Sequence, residues 1–265
     1  KLELDADRIL SFMASNFLLA NAKKTGFLLI RKNRSTATRE VTVGHERIPE
    51  QANHRILGLT VTNTLAWKDH VTHLLNSLHQ RIGALRRISH HVAPNYLPTI
   101  ASAIITSKVR FGIAVYGGVK MSEADSTSDT NKALQIALNH TMRVVAKCRL
   151  RDRVPIAQLI KTTGMQTVNR MSAEDKIKLV WQAIHLDNSP LTNMICRPSK
   201  DTSGRASRSA ARGDLPLEAQ TTLGQNNFPE TAIRLWNITS MEVREAATKG
   251  KAKTAIRKFV TSLPL

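Results

Sequence analysis

The apolar residues of this chain follow two different spacings, one before residue 62 and another after it. The chain opens with apolar side chains three or four residues apart, which predicts an amphipathic helix with Asp5 as its N-cap. Short runs of apolar and β-branched residues follow, and these predict three or four antiparallel strands. The runs are Phe27–Ile30, Val41–Val43, Glu46–Ile48 and Arg55–Thr62.

After residue 62 the spacing becomes helical. Between Trp67 and His90 apolar residues recur at steps of three, four and seven, which is typical of a long amphipathic helix. Turn and cap residues delimit further predicted helices. These run from Pro94 towards Phe111, from a cap at Asp129 or Thr130 to Val145, from Pro155 to Gly164, and from Thr167 to His185.

The periodicity disappears between residues 187 and 218, where Ser, Arg, Gly and Pro are frequent. This composition predicts a flexible basic linker. Residues 219–265 regain an apolar pattern and predict a small basic tail with a helix from Val243 to Val260. The whole pattern predicts an α+β chain in four parts: 1–62 with the strands, 63–186 mainly helical, the linker 187–218, and the tail 219–265.

Lys and Arg outnumber Asp and Glu by 39 to 20, a net charge of +19. Such an excess predicts a polyanionic partner, because cations that contact a phosphate backbone release its condensed counterions. A basic component of a crowded complex is the alternative. The longest apolar stretch, Ile100–Val119, contains Lys108 and Arg110, so we predict no membrane span of the ~20 residues required. Two distant cysteines indicate neither a disulfide framework nor a zinc site, and favour an intracellular chain with reduced thiols.

Two short motifs near the start of the chain carry a family resemblance. Asn21, Lys24 and Thr25 form an Asn-x-x-Lys-Thr turn, and Ile56-Leu-Gly58 matches a Phe-Leu-Gly hairpin with Ile as its first residue. The order of motifs resembles the end of the palm, the thumb and the tail of reverse transcriptases from non-LTR (LINE-type) retrotransposons. The resemblance extends over nearly the whole chain through three further segments, Leu59–Val71, Ser107–Gly118 and Phe228–Asn237.

This resemblance implies that the parent protein is an RNA-directed DNA polymerase, a nucleotidyltransferase that uses Mg²⁺. The catalytic aspartates of the family lie several tens of residues before the Lys-Thr block, which places them upstream of Lys1. We therefore expect a polymerase fragment that holds primer-template nucleic acid, is inactive alone and needs no cofactor of its own. Its expected partners are the upstream palm and fingers domains. A non-enzymatic helical scaffold of a ribonucleoprotein is the alternative.

The resemblance also implies roles for two residues. Lys24 would lie near the incoming triphosphate and assist the departing pyrophosphate, since negative charge develops there during transfer. A solvated turn lysine is the competing interpretation. Gly58 would let backbone amides approach a primer phosphate, or it simply forms a tight turn.

Two other groups of polar residues suggest metal binding at first sight. Asp5 and Asp7 are better interpreted as the start of a helix, where acids favour the helix dipole. His70 and His73 have helical spacing but no third ligand candidate, so we interpret them as surface histidines and predict no metal site.

Clustered cations give the predicted electrostatic footprint for RNA, DNA or an RNA–DNA hybrid. A solvated basic face is the alternative. With 3 Trp, 2 Tyr and 6 Phe, recognition by base stacking is disfavoured, and contacts to phosphate are expected. The predicted binding residues are Arg81, Arg86 and Arg87 on the long helix, and Arg143, Lys147, Arg149, Arg151 and Arg153 at the end of the third predicted helix.

Overall fold

The fold is described from a computed structural model and divides into two compact units, Lys1–His73 and Leu74–Leu265. It confirms the predicted α+β class, with two small antiparallel sheets near the start and helices after them. Residues 31–38 and 123–127 and much of the predicted linker lie outside the described residues. The structure describes residues 2–21, 24–30, 39–122, 128–186, 189–196, 212–217 and 227–264.

The first unit begins with a helix, α1 (Leu2–Ser15), followed by two hairpins. Strands β1 (Glu40–Val43) and β2 (Glu46–Pro49) form the first hairpin, and β3 (Asn53–Ile56) and β4 (Leu59–Thr62) form the second. The second hairpin occupies the segment that was predicted as one strand from Arg55 to Thr62. Its tight Leu57–Gly58 turn interrupts that apolar run.

Two further predictions about the secondary structure of the first unit are wrong. Asp5 is not an N-cap, because α1 begins at Leu2. Phe27–Ile30 is not a strand, since within the described residues only Phe27 forms a bridge, in parallel with Glu50. The Gln51 amide donates to the Phe27 carbonyl at 2.8 Å. The next hydrogen bond towards the N-terminus cannot form, because Pro49 has no N–H to donate to the segment that precedes Phe27.

The second unit contains most of α2 (Lys68–Ile88) and the helices that follow it. A continuous helical run covers residues 94–110 and includes a π-helical turn, Ser102–Thr106. No helix in the described ranges is long and apolar enough to cross a bilayer. The remaining α-helices are α3 (Leu97–Ala101), α4 (Ser107–Arg110), α5 (Ile113–Tyr116), α6 (Asp129–Val145), α7 (Ile156–Thr163), α8 (Val168–His185), α9 (Thr192–Ile195), α10 (Phe228–Asn237), α11 (Met241–Arg244) and α12 (Lys249–Thr261).

The helix boundaries follow side chains that cap the first turn. Ser128, not Asp129 or Thr130, is the N-cap of α6, because its hydroxyl accepts the Asn131 amide. Thr167 caps α8, and the helix begins where the sequence predicted it to begin. The predicted basic helix from Val243 to Val260 is wrong as a single helix, since α11 ends at Arg244 and Thr248 caps a new helix.

The predicted tail packs against the helical core. Helices α10 and α12 contact α8, and Trp236 and Ile256 are buried in the same cluster as Trp181. Part of the predicted linker joins this packing, because Ile195 of α9 is fully buried. The Leu215 amide donates to the Asn237 side chain at 2.8 Å. The described pieces of residues 187–218 therefore belong to the second unit.

Helix α8 lies at the centre of the second unit and buries a lysine. The ammonium of Lys176 donates to the Gly117 carbonyl at 2.5 Å and to the Ser172 hydroxyl at 3.0 Å. The Ser172 hydroxyl donates to the same carbonyl at 2.9 Å. A Cβ on Gly117 would lie 2.6 Å from the Ile113 carbonyl oxygen, which is too close, so only glycine fits at position 117.

The buried amine predicts a pH-dependent stability. Burial lowers the pKa of Lys176 to about 7, whereas an unfolded lysine titrates near ~10.4. Between these values the unfolded chain binds more protons, so the free energy of unfolding should rise with pH. Denaturant titrations from about pH 7 to about pH 9.5 should show this rise, and Lys176→Met should flatten it. The exposed Lys161→Met on α7 is the control, and an equal slope in wild type and Lys176→Met would contradict the expectation.

Candidate nucleic-acid interface

A basic groove of about 650 Å³ lies in the second unit. The last turn of α2 and the residues just after it provide one set of lining side chains. The C-terminal half of α6 and the segment after it provide the other. The lining residues are Arg86, Ser89, His90, His140, Arg143, Val144, Lys147, Cys148, Arg149 and Leu150.

The spacing of residues on α6 explains why cations face the groove. His140, Arg143, Val144 and Lys147 follow one another at steps of three, one and three, which places them along one side of the helix and its exit. A different face of α6 carries side chains that are buried in the core. That buried face includes Leu134, Leu138, Met142 and Val145.

The exit of α6 fixes the position of Lys147. The Cys148 amide donates to the Arg143 carbonyl at 3.0 Å, and the Lys147 amide donates to the Val144 carbonyl at 3.2 Å. These two bonds define a Schellman motif, in which the residue after the C-cap is left-handed and most often glycine. Lys147 occupies that position with φ of 53°. A charged side chain therefore stands where the backbone favours glycine.

The Arg and Lys side chains that line the groove are not balanced by acidic side chains. Among the residues the structure describes, no carboxylate lines the groove, and none lies within ion-pair distance of Arg86, Arg143, Lys147 or Arg149. Asp152 comes nearest in sequence, and it accepts the Arg149 backbone amide at 2.6 Å. These positive charges consequently remain uncompensated and favour an external anion.

Arg143 also has hydrogen-bonding capacity to spare. Its Nη1 donates to the Asn139 carbonyl at 3.3 Å. Its Nε is buried and has no hydrogen-bond partner among the described residues. An anion in the groove can therefore bond only the exposed part of this guanidinium, because the Nε is buried.

The predicted binding residues fall into three groups. Arg86, Arg143, Lys147 and Arg149 meet at the groove. Arg81 is half-buried and donates to the Ile104 carbonyl at 3.1 Å, so it braces the π-helical turn. The other three predicted residues, Arg87, Arg151 and Arg153, are exposed but do not line the groove.

The two candidates suggested by the resemblance lie in the first unit. Lys24 is exposed, and its amide donates to the Asn21 carbonyl at 2.9 Å, as in a solvated turn. Gly58 (φ 86°) and Leu57 (φ 47°) form the two-residue turn between β3 and β4, where positive φ favours glycine. The tight-turn interpretation fits Gly58, and a grip on phosphate stays a prediction.

Sequence reasoning missed or misjudged several histidines. His90 and His140 line the groove, and the spacing of His140 from Arg143 and Lys147 is the signal that could have found one of them. His70 was predicted to lie on the surface, which is wrong, because it is buried and its Nδ1 accepts the Thr60 amide at 3.3 Å. In the described part of the chain, no three His, Cys, Asp or Glu side chains form a metal-binding group.

Comparisons of the chain with protein-family models, with curated proteins and with solved structures found no match. The resemblance to a retrotransposon reverse transcriptase therefore stays a prediction based on the short motifs. The basic groove is the feature on which a proposal can be built.

Because Lys147 has a left-handed backbone conformation, we expect this residue to reduce the stability of the fold. Lys147→Gly should raise the free energy of unfolding by about 0.5–1 kcal/mol, because glycine adopts positive φ without steric cost. Lys147→Ala removes the same charge without relieving the backbone and should give no such gain. Urea unfolding of the three proteins measures both effects. Equal stability of the Gly and Ala variants would show that the backbone at this position is unstrained.

Proposed function

We propose that this chain binds nucleic acid through the groove between the end of α2 and the end of α6. The proposal rests on four cations that line one groove, Arg86, Arg143, Lys147 and Arg149. None of the described residues that line this groove is a carboxylate. Cations placed on ordered elements lose less conformational entropy on contact than cations on a flexible segment. The phosphate backbone is the anion that such a row of charges fits.

The composition of the groove favours contacts to phosphate over contacts to bases. Its apolar lining consists of Val144 and Leu150, and no Phe, Tyr or Trp lines it within the described residues. Base stacking needs aromatic or planar surfaces, which this groove offers only as guanidinium and imidazole groups. We expect binding to duplex DNA, RNA and RNA–DNA hybrid with little sequence preference.

Within this proposal, the chain is a fragment of a non-LTR retrotransposon reverse transcriptase that holds primer-template nucleic acid. The ordered series of motifs from Asn21 to Asn237 supports this identity. The arrangement of two small hairpins before a helical unit agrees with the expected palm remnant and thumb. The groove would then hold the duplex, while metal-dependent transfer belongs to the upstream palm.

Charge reversal tests whether the groove itself carries the binding. Arg86→Glu/Lys147→Glu/Arg149→Glu should weaken binding to a labelled RNA–DNA hybrid and make the plot of log affinity against log salt less steep by about 2.7. That value assumes ~0.9 per lost phosphate contact. Fluorescence anisotropy from 50 to 200 mM salt measures both quantities.

The matched control is Lys249→Glu/Lys251→Glu/Lys253→Glu, three exposed lysines of α12. It changes the net charge by the same amount and leaves the groove intact. Similar losses from both triple variants would show that net charge, not a placed surface, drives binding. Thermal melts of both variants establish that they remain folded.

Primer extension tests the fragment interpretation. The purified chain should extend no primer with Mg²⁺ or Mn²⁺, because nucleotidyl transfer needs carboxylates that hold two metal ions. Asp5 and Asp7 are two residues apart on α1, so their side chains do not face each other and do not supply such a pair. Template-dependent extension that Lys24→Ala reduces would overturn this interpretation and place an active site in the first unit.

A further inference from the structure

Two imidazoles stand among the cations of the groove. His90 follows the last turn of α2, and His140 lies on α6 one turn before Arg143. Both side chains are exposed, so neither is required for core packing. Neither histidine was among the binding residues predicted from the sequence.

Cations flank both imidazoles along the groove. Arg86 shares the α2 side of the groove with His90. On the α6 side, His140 faces the groove with Arg143, Lys147 and Arg149, and Cys148 is the remaining titratable group that lines it. A polyanion bound in the groove favours the charged imidazolium, because an opposite charge nearby stabilises it.

Binding and proton uptake are therefore coupled at this site. If bound nucleic acid favours the protonated histidines, then by linkage protonation of these histidines favours nucleic-acid binding, and binding is tighter at lower pH. Histidine is the side chain that gains its charge in the range between about pH 8 and pH 5. Each protonated imidazole adds one cation that can contact a phosphate.

We propose that His90 and His140 make nucleic-acid binding by the groove pH-dependent, with tighter binding as the pH falls below neutrality. This inference rests on the proposed function, since it assigns a regulation to the same groove. The groove then has two components, four permanent cations that hold phosphate at any physiological pH and two histidines whose charges add to them in mildly acidic conditions.

The salt dependence of binding separates this mechanism from a general effect of pH. At pH 8 the plot of log affinity against log salt reports the permanent cations. At pH 5.5 the slope should steepen by up to about 1.8, from two additional contacts at ~0.9 each. Anisotropy titrations with an RNA–DNA hybrid at both pH values, over the same range of salt, measure the difference.

His90→Gln/His140→Gln should lose the steepening, so that its plots of log affinity against log salt have the same slope at pH 5.5 and at pH 8, whatever its affinity at pH 8. The control His73→Gln/His79→Gln removes two exposed histidines of α2 that do not line the groove, and it should behave as wild type. If the groove double variant steepens as much as wild type, the pH mechanism is wrong while the proposed function survives. If wild type fails to bind the hybrid at pH 8 and low salt, the proposed function itself fails.

Discussion

The burial of charged side chains on α8 organises the second unit. Glu174 is fully buried, and burial alone would raise its pKa. A hydrogen bond from Gln166 and the nearby Arg110 guanidinium outweigh that effect and lower the pKa of Glu174 to about 2. Because an uncompensated buried charge is strongly unfavourable, α8 can occupy the centre only if these partners are in place. Arg110 brings α4 to this site, and Arg257 of α12 lies 3.5 Å from the same carboxylate.

A polar row on the same helix fixes the segment after α5. Asn169 bonds both the amide and the carbonyl of Lys120, and its side chain also donates to the Pro264 carbonyl. Ser172 and Lys176 hold Gly117 one and two turns further along the helix. Helix α6 packs on α8 and α7 through its apolar face, so its opposite side is free to present cations. The position of α6 therefore depends on its packing against α8, whose buried polar groups do not line the groove.

The sequence was informative where a residue's role depends on its near neighbours. The apolar spacing of α2, the Thr167 cap of α8 and the Gly164 terminus of α7 were all predictable, because each is encoded within one or two turns. The concentration of cations between Arg143 and Arg149 was visible for the same reason. Two misjudgements arose where an apolar or basic run continues through a turn, as at Leu57–Gly58 and at Thr248.

Other features depend on contacts between distant residues and could not be predicted from local pattern. His90 and His140 are fifty residues apart in the sequence and line one groove. Lys176 looks like a surface lysine in the helical pattern, and only the packing of several elements around α8 buries it. Arg81 resembles the other cations of α2, yet a π-helical turn provides a carbonyl that it binds.

The packing of α12 on α8 has a consequence for synthesis of the chain. The ribosome must add residues 186–248 after α8 before α12 begins, which takes roughly 3 to 13 s at ~5–20 residues per second. During that interval Ile177 and Trp181 lack the helices that later cover them. A nascent chain with exposed apolar side chains and a high positive charge is a substrate for chaperones and attracts polyanions nonspecifically. The second unit thus reaches its final packing only after α12 has been synthesised.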